Sequence, residues 1–368
     1  MKYGREVLAK IPVTVHGGQA WKIGGIEDYS HNLNPFGPPG CLAEIIALAT
    51  DGVDHYPDDS CADLKSVISR SLSLKEQNIV IGAGSSEIIR NFPNAFMDRG
   101  DRVMISNPSF AEYSQQCRII GADIKYNELT ASEDFRLDQI KLASSYGGLK
   151  ALYICNPNNP TGRIEPRDKI LDIVGECGDE GILVFLDETL LELVKGHENI
   201  SCMRYVNKYD NLVVAGSLTK SFAIPGIRIG YGVSSPHLVE EMDKVRMTWN
   251  VGHIEQNVGR VLLSEHMDHV TKAASVMAEE SERMHSELDD MGFPVGNVSD
   301  SFFYFCSLEE IGMNGSEFQR LMLRDGIMVR DCSSFGKRFE PYVRFSVKDR
   351  ERNDMFLRAV ENTIRSAE

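Results

Sequence analysis

Ser217-Leu-Thr-Lys220-Ser-Phe-Ala-Ile-Pro-Gly226-Ile-Arg228-Ile-Gly-Tyr-Gly232 places a lysine just past an apolar run, Asn211-Leu-Val-Val-Ala-Gly216. That run reads as a strand. Hydroxyls flank the lysine at Ser217, Thr219 and Ser221, and Arg228 follows inside a second, glycine-punctuated apolar run. A lysine held at a strand exit in an apolar pocket favours its neutral, nucleophilic amine. Hydroxyls and a guanidinium around it make a receptor for a phosphate dianion. An amine beside a phosphate cradle is what pyridoxal phosphate (PLP) requires. A lone lysine in a loop is otherwise a solvated charge, so the reading depends on partners elsewhere.

Four partners lie upstream, each at the end of an apolar run. Asn78-Ile-Val-Ile-Gly82 leads into Ala83-Gly84-Ser85-Ser86-Glu87, a tight turn and helix start. Free N–H groups and the hydroxyls of Ser85 and Ser86 there suit a phosphate, although many such turns are only helix caps. Arg102-Val-Met-Ile-Ser106 is followed by Asn107-Pro108-Ser109-Phe110. Phe110 is placed either to stack on a planar ring or to pack under the next helix. Ala151-Leu-Tyr-Ile-Cys155 precedes Asn156-Pro-Asn-Asn159-Pro160-Thr161-Gly162, where the prolines fix the backbone and aim the Asn159 amide. Gly181-Ile-Leu-Val-Phe-Leu186 ends in Asp187. A carboxylate there is costly without a cation, and a pyridinium nitrogen is such a partner. Strands and helices alternate throughout, which predicts an α/β fold with a mostly parallel sheet.

The two ends of the chain carry further candidates. His16-Gly17-Gly18, Ser30-His-Asn32-Leu-Asn34-Pro35-Phe-Gly37 and His55-Tyr56-Pro57-Asp58 are turn-rich segments that follow a surface. Each is either a plain packed arm or a source of polar contacts from His16, Asn32, Asn34 and Tyr56. Near the other end, Arg344 interrupts the apolar run Tyr342-Val-Arg344-Phe-Ser346, and Arg330 interrupts another. A guanidinium in such a run needs an anion. The choice is a structural pair, such as Arg330 with Asp331, or a doubly anionic substrate, which two arginines in one small unit favour. From Ser235-Pro236 to Gly292 the chain reads as mainly helical, with a break at Trp249-Asn-Val-Gly252 and a long spine from His253 to Met291.

The whole chain sets limits. Its 368 residues, 42% hydrophobic and 25% charged, are ordinary for a globular protein with a large core. A net charge of −15 argues against nucleic acid as a partner, so an anionic substrate must be drawn by local arginines. No window has the length of a membrane span and no signal peptide is visible, so a cytoplasmic protein is expected. Eight cysteines contain no CxxC pair, so no metal site is indicated, and most, such as Cys155 and Cys306, are expected to be reduced and buried.

Asn159-Pro-Thr-Gly162, Asp187, Ser217-x-x-Lys220 and Gly226-x-Arg228 stand in the order and spacing of class I/II aminotransferases, PLP enzymes of fold type I. The chain resembles the branch that holds histidinol-phosphate aminotransferase and threonine-phosphate decarboxylase. His16-Gly-Gly18, Asn32-Leu-Asn34-Pro-Phe-Gly37 and Arg330-Asp-Cys-Ser-Ser-Phe335 look more like the decarboxylase. The resemblance implies an arm over residues 1–45 that also joins the small domain. It implies a large PLP-binding domain over 46–252, then a linking helix with a small α+β domain over 253–368. By the same resemblance Lys220 bonds the coenzyme as a Schiff base and Asp187 holds its ring nitrogen. Asn159 bonds the phenolic oxygen and Phe110 stacks on the ring. Ser85, Ser86, Ser217 and Arg228 bind the phosphate, with Tyr56 reaching in from a second subunit of a homodimer. Arg344 takes the substrate carboxylate, while Arg330, His16 and Asn32 are candidates for the substrate phosphate. Many relatives have a tyrosine three residues after the aspartate, where this chain has Leu190. The implied reaction is decarboxylation of O-phospho-L-threonine in cobalamin synthesis. Transamination of histidinol phosphate with 2-oxoglutarate is the alternative.

Overall fold

The computed structural model describes residues 4–12 and 20–365; His16 lies outside the described residues. In chain order the strands are β1 (Glu27–Asp28), β2 (Ile79–Gly82), β3 (Arg102–Asn107), β4 (Asp123–Glu128), β5 (Leu149–Cys155), β6 (Leu183–Asp187), β7 (Leu212–Ser217), β8 (Gly230–Ser234), β9 (Phe303–Ser307), β10 (Ile327–Met328), β11 (Arg330–Asp331) and β12 (Tyr342–Ser346). Seven form one sheet in the order β2-β8-β7-β6-β5-β3-β4. The pairs from β7 through β6, β5 and β3 to β4 are parallel; β8 runs antiparallel to both β7 and β2.

Alternation along these strands builds two cores. Val103, Ile105, Tyr153, Phe185 and Val213 face one side with Ile88 and Phe92 of the helix Ser85–Phe96. Met104, Leu152, Ile154, Val184 and Val214 face the other with Leu64 and Ile170. Both faces are covered, which is why β6 and β7 read as unbroken apolar runs. β4, Asp-Ile-Lys-Tyr-Asn-Glu, is an edge strand and largely exposed, so no apolar run announces it.

A second sheet of order β11-β12-β9 is antiparallel, and β1 pairs with β10 in parallel. The apolar run that Arg330 interrupts is therefore divided between two strands. Ile327–Met328 serves the arm strand β1, and Arg330–Asp331 serves β12. The expected continuous spine is likewise two helices, His253–Glu265 and Met267–Asp290. His266 leaves helical geometry between them, at φ −129°, and its Nε2 lies 3.3 Å from Cys41 Sγ. Among the described residues no helix is long and apolar enough to cross a membrane. Cys306 is buried as expected, whereas Cys155 is only half-buried by exposure.

The candidate residues collect at the carboxyl ends of the parallel strands: Phe110 after β3, Asn159 after β5, Asp187 at the end of β6 and Lys220 after β7. The arm is threaded between the sheets. Tyr29 O accepts the Ser346 N–H at 3.0 Å, and the Asn34 N–H donates to Lys220 O at 3.0 Å. Gly230 lets β8 pass close to the turn at Gly84, because a Cβ there would lie 2.4 Å from Ser85 N and 2.7 Å from Gly84 C. Both are backbone atoms and cannot swing aside. Gly230→Ala is therefore expected to lower stability by about 1–3 kcal/mol, read as an earlier urea-unfolding midpoint. A wild-type midpoint would contradict the close approach.

Candidate active site

A cavity of about 690 Å³ opens at this edge, with Lys220, Asp187, Asn159, Phe110, Arg330 and Arg344 all on its wall. Asp187 is 3% exposed. Its Oδ2 accepts the Tyr113 hydroxyl at 2.6 Å, and its Oδ1 accepts the Thr189 N–H at 2.9 Å. Burial pushes its carboxyl above the ordinary value, while Tyr113, Thr189 and the charge of Lys220 pull it back. Burial also drives the Tyr113 hydroxyl well above its usual range, so it stays a donor. Tyr113 is a functional residue that sequence reasoning passed over. It lies three residues after Phe110, one helical turn on, and its ring meets Phe110 edge-on at 5.7 Å.

Lys220 is half-buried, and its amine is lowered to about 8. Burial is the largest cause, followed by the charges of Arg344 and Arg228; Asp187 opposes them. A neutral amine is thus within reach near neutral pH, which is what carbonyl chemistry at that nitrogen needs. Ser217 caps the short helix Leu218–Ser221 by accepting the Thr219 N–H at 3.2 Å. Its hydroxyl, buried 2.9 Å from the Thr219 hydroxyl, does not reach the wall; Thr219 does. Of the two hydroxyls, Thr219 is the one that borders the cavity.

Ser85 and Ser86 open the helix Ser85–Phe96 and line the cavity. Gly84, at φ +78°, lets Arg228 cover that helix start: a Cβ on Gly84 would lie 2.4 Å from Arg228 Nη2. Arg228 is exposed, and its Nη1 donates to Pro225 O at 3.1 Å.

The loop after β5 is knit by its own amides. Asn156 binds Glu165 in both directions, at 3.0 and 2.8 Å, and Asn158 Nδ2 donates to Pro108 O at 3.1 Å. This leaves Asn159 to face the cavity, where its Oδ1 accepts from Arg344 Nη1. Arg344 Nη2 donates to Ser30 O, and its buried Nε has no partner. Among the described residues Arg344 forms no ion pair. Burial lowers its guanidinium to about 10. Arg330 stands directly across from it in the ladder between β11 and β12. Arg330 Nη2 donates to Ser334 Oγ at 2.7 Å; Asp331 instead accepts from Ser333.

Of the arm residues, Asn34 is structural: its Nδ2 donates to Ser221 O at 2.8 Å, and its Oδ1 accepts the Phe36 N–H. Asn32 differs. It is 4% exposed, lines the cavity and has an unpartnered Oδ1. Tyr56 is far from burial, 71% exposed, and is absent from the cavity wall of its own chain.

These residues fit PLP. The amine, the buried carboxylate, the aromatic face and the helix start with its guanidinium border one space. Family comparison agrees. The chain belongs to the aminotransferase class I and II family, whose model matches residues 28–360. It is 31% identical over 329 residues to a Caldanaerobacter subterraneus subsp. tengcongensis protein bearing the provisional name threonine-phosphate decarboxylase, covering 89% of this chain and 88% of that one. Identity is 27% to histidinol-phosphate aminotransferase of Moorella thermoacetica, across 98% of this chain and 92% of the relative. The crystal structure of histidinol-phosphate aminotransferase from Sinorhizobium meliloti in complex with PLP superposes with a TM-score of 0.87 at 21% identity, covering 100% of this chain and 99% of that one. The fold is that of the PLP enzymes of fold type I, and the coenzyme is PLP.

Trinitrophenylation of Lys220 by trinitrobenzenesulfonate in the coenzyme-free protein is expected to rise with a midpoint near pH 8. Removing a neighbouring positive charge favours the protonated amine, so Arg344→Gln moves that midpoint upward. A wild-type midpoint at the ordinary lysine value would overturn this account of Lys220.

Proposed function

We propose that the protein decarboxylates O-phospho-L-threonine to (R)-1-aminopropan-2-yl phosphate. The observation that carries this reading is the pair Arg344 and Arg330, facing each other across one ladder on the cavity wall. Two guanidiniums side by side on a cavity wall suit a ligand with two anionic groups. O-Phosphothreonine carries a carboxylate and a phosphate within a few bonds, so it can answer both. Histidinol phosphate carries one anionic group, so the alternative answers both arginines only through its second substrate, 2-oxoglutarate. The decarboxylase name borne by one relative supports the same reading; the aminotransferase relatives keep transamination as the alternative.

Bound PLP withdraws electrons from the bonds at the substrate's α-carbon. The chain supplies the rest. Lys220, with its depressed amine, would hold the coenzyme at its carbonyl carbon and, once displaced by the substrate's amine, would move a proton at the α-carbon. Asp187, whose carboxyl is raised by burial and pulled back by Tyr113 and Thr189, would hold a proton on the ring nitrogen. Asn159, with its Oδ1 taken by Arg344, offers its amide N–H to the phenolic oxygen. Leu190 adds no donor there. Phe110 covers the ring. Ser85, Ser86, Thr219 and Arg228 hold the coenzyme phosphate. Arg344 holds the substrate carboxylate, and Arg330, Asn32 and His16 its phosphate. Which α-carbon bond breaks depends on how these last residues rotate the substrate. Tyr56 completes the phosphate site of a second copy in a homodimer with shared sites.

With PLP and O-phosphothreonine, the protein is expected to release CO₂, and Lys220→Ala to abolish that release. No CO₂, together with glutamate formation from 2-oxoglutarate only when histidinol phosphate is added, would assign the alternative.

A further inference from the structure

Trp249 adopts a left-handed backbone conformation, φ 53°, which is costly for a bulky side chain. Asp59 keeps it there. Its Oδ1 accepts the Trp249 N–H at 2.6 Å, and Arg246 forks its two oxygens at 3.1 and 3.0 Å. Arg246 also donates to Asn250 Oδ1 at 3.0 Å. Asn250 in turn donates to Glu87 Oε2 at 2.7 Å, which accepts the Ala83 N–H at 2.6 Å. The strained tryptophan and the turn before Ser85 thus belong to one hydrogen-bonded network.

What the network presents is an aromatic pair. The Trp249 indole, 45% exposed, stacks on Tyr56 at 4.1 Å and 16°. Backbone strain and two exposed rings gain little inside one chain. Meanwhile Arg228, beside the helix start, is exposed, so that site is open to a group from outside.

We propose that Trp249 is a positioning residue that holds Tyr56 for the coenzyme-phosphate turn of a second copy of this chain. The inference rests on reading Tyr56 as a contact supplied across a homodimer. Stacking fixes the phenol's direction before association, so the partner's site does not have to order it.

The test is the PLP dissociation constant of the reconstituted enzyme, read from the absorbance of bound coenzyme. Trp249→Ala should raise it about fivefold, and Trp249→Tyr, which keeps the stack, should leave it within about twofold. In a Tyr56→Ala background, Trp249→Ala should add nothing. An unchanged constant in Trp249→Ala, or the same loss with Tyr56 already removed, would overturn the proposal. Mixed dimers of Trp249→Ala and Lys220→Ala chains place an intact Lys220 opposite an intact Trp249, and that site should bind as tightly as wild type. Weak binding there would mean that Trp249 acts within its own chain, which also overturns it. Sedimentation separates the two claims. A single-chain mass defeats the shared site itself, whereas a dimer with tight Trp249→Ala binding defeats only the role of Trp249.

Discussion

The carboxylate of Asp187 lies at the end of a strand buried on both faces, where an anion is expensive. Tyr113 and Thr189 each give it a hydrogen bond, and Lys220 gives it a charge, yet burial still pushes its carboxyl up. Lys220 feels the complementary conflict. Burial and two arginines press its proton off while Asp187 holds it on. The two groups are balanced against each other at the edge of the sheet, and a ring that carries its own positive nitrogen relieves both. It satisfies Asp187 and leaves the amine free to react. The fold's contribution is to hold β6 and β7 side by side, with Asp187 opposite Ala215 in the ladder.

The second constraint is the cationic lining in an acidic molecule. The chain carries −15 overall, but Arg228, Arg330 and Arg344 converge on one cavity. Arg344 is anchored by a carbonyl and an amide oxygen rather than by a carboxylate. Neutral anchors fix its direction without cancelling its charge, so the charge remains for a ligand. Ser30 supplies one of these anchors from the arm, and Asn34 clasps the backbone of Lys220 and Ser221. The arm therefore serves both sheets at once and carries Asn32 to the wall between them.

Much of this was legible because the chemistry interrupts a pattern. Asp187, Arg344 and Arg330 break apolar runs, and Lys220 follows one, so each stands out in the sequence. The parallel order of β5, β6 and β7 follows from alternating strands and helices. Residues that act through space did not stand out. Tyr113 meets Asp187 across 74 positions, and no local spacing announces that bond. Thr219 rather than Ser217 faces the cavity because the serine hydroxyl is spent on the helix cap, which only the turn's geometry decides. β4 was invisible because an exposed edge strand needs no apolar face. The split of residues 327–331 between two sheets depends on which partner strand each half meets.

Borohydride trapping of bound PLP, followed by peptide mass spectrometry, tests the central claim most directly. The account predicts that the trapped coenzyme sits on Lys220 alone, and that Asp187→Ala markedly lowers the trapped fraction. Coenzyme on a different lysine, or none trapped from a folded protein saturated with PLP, would contradict it.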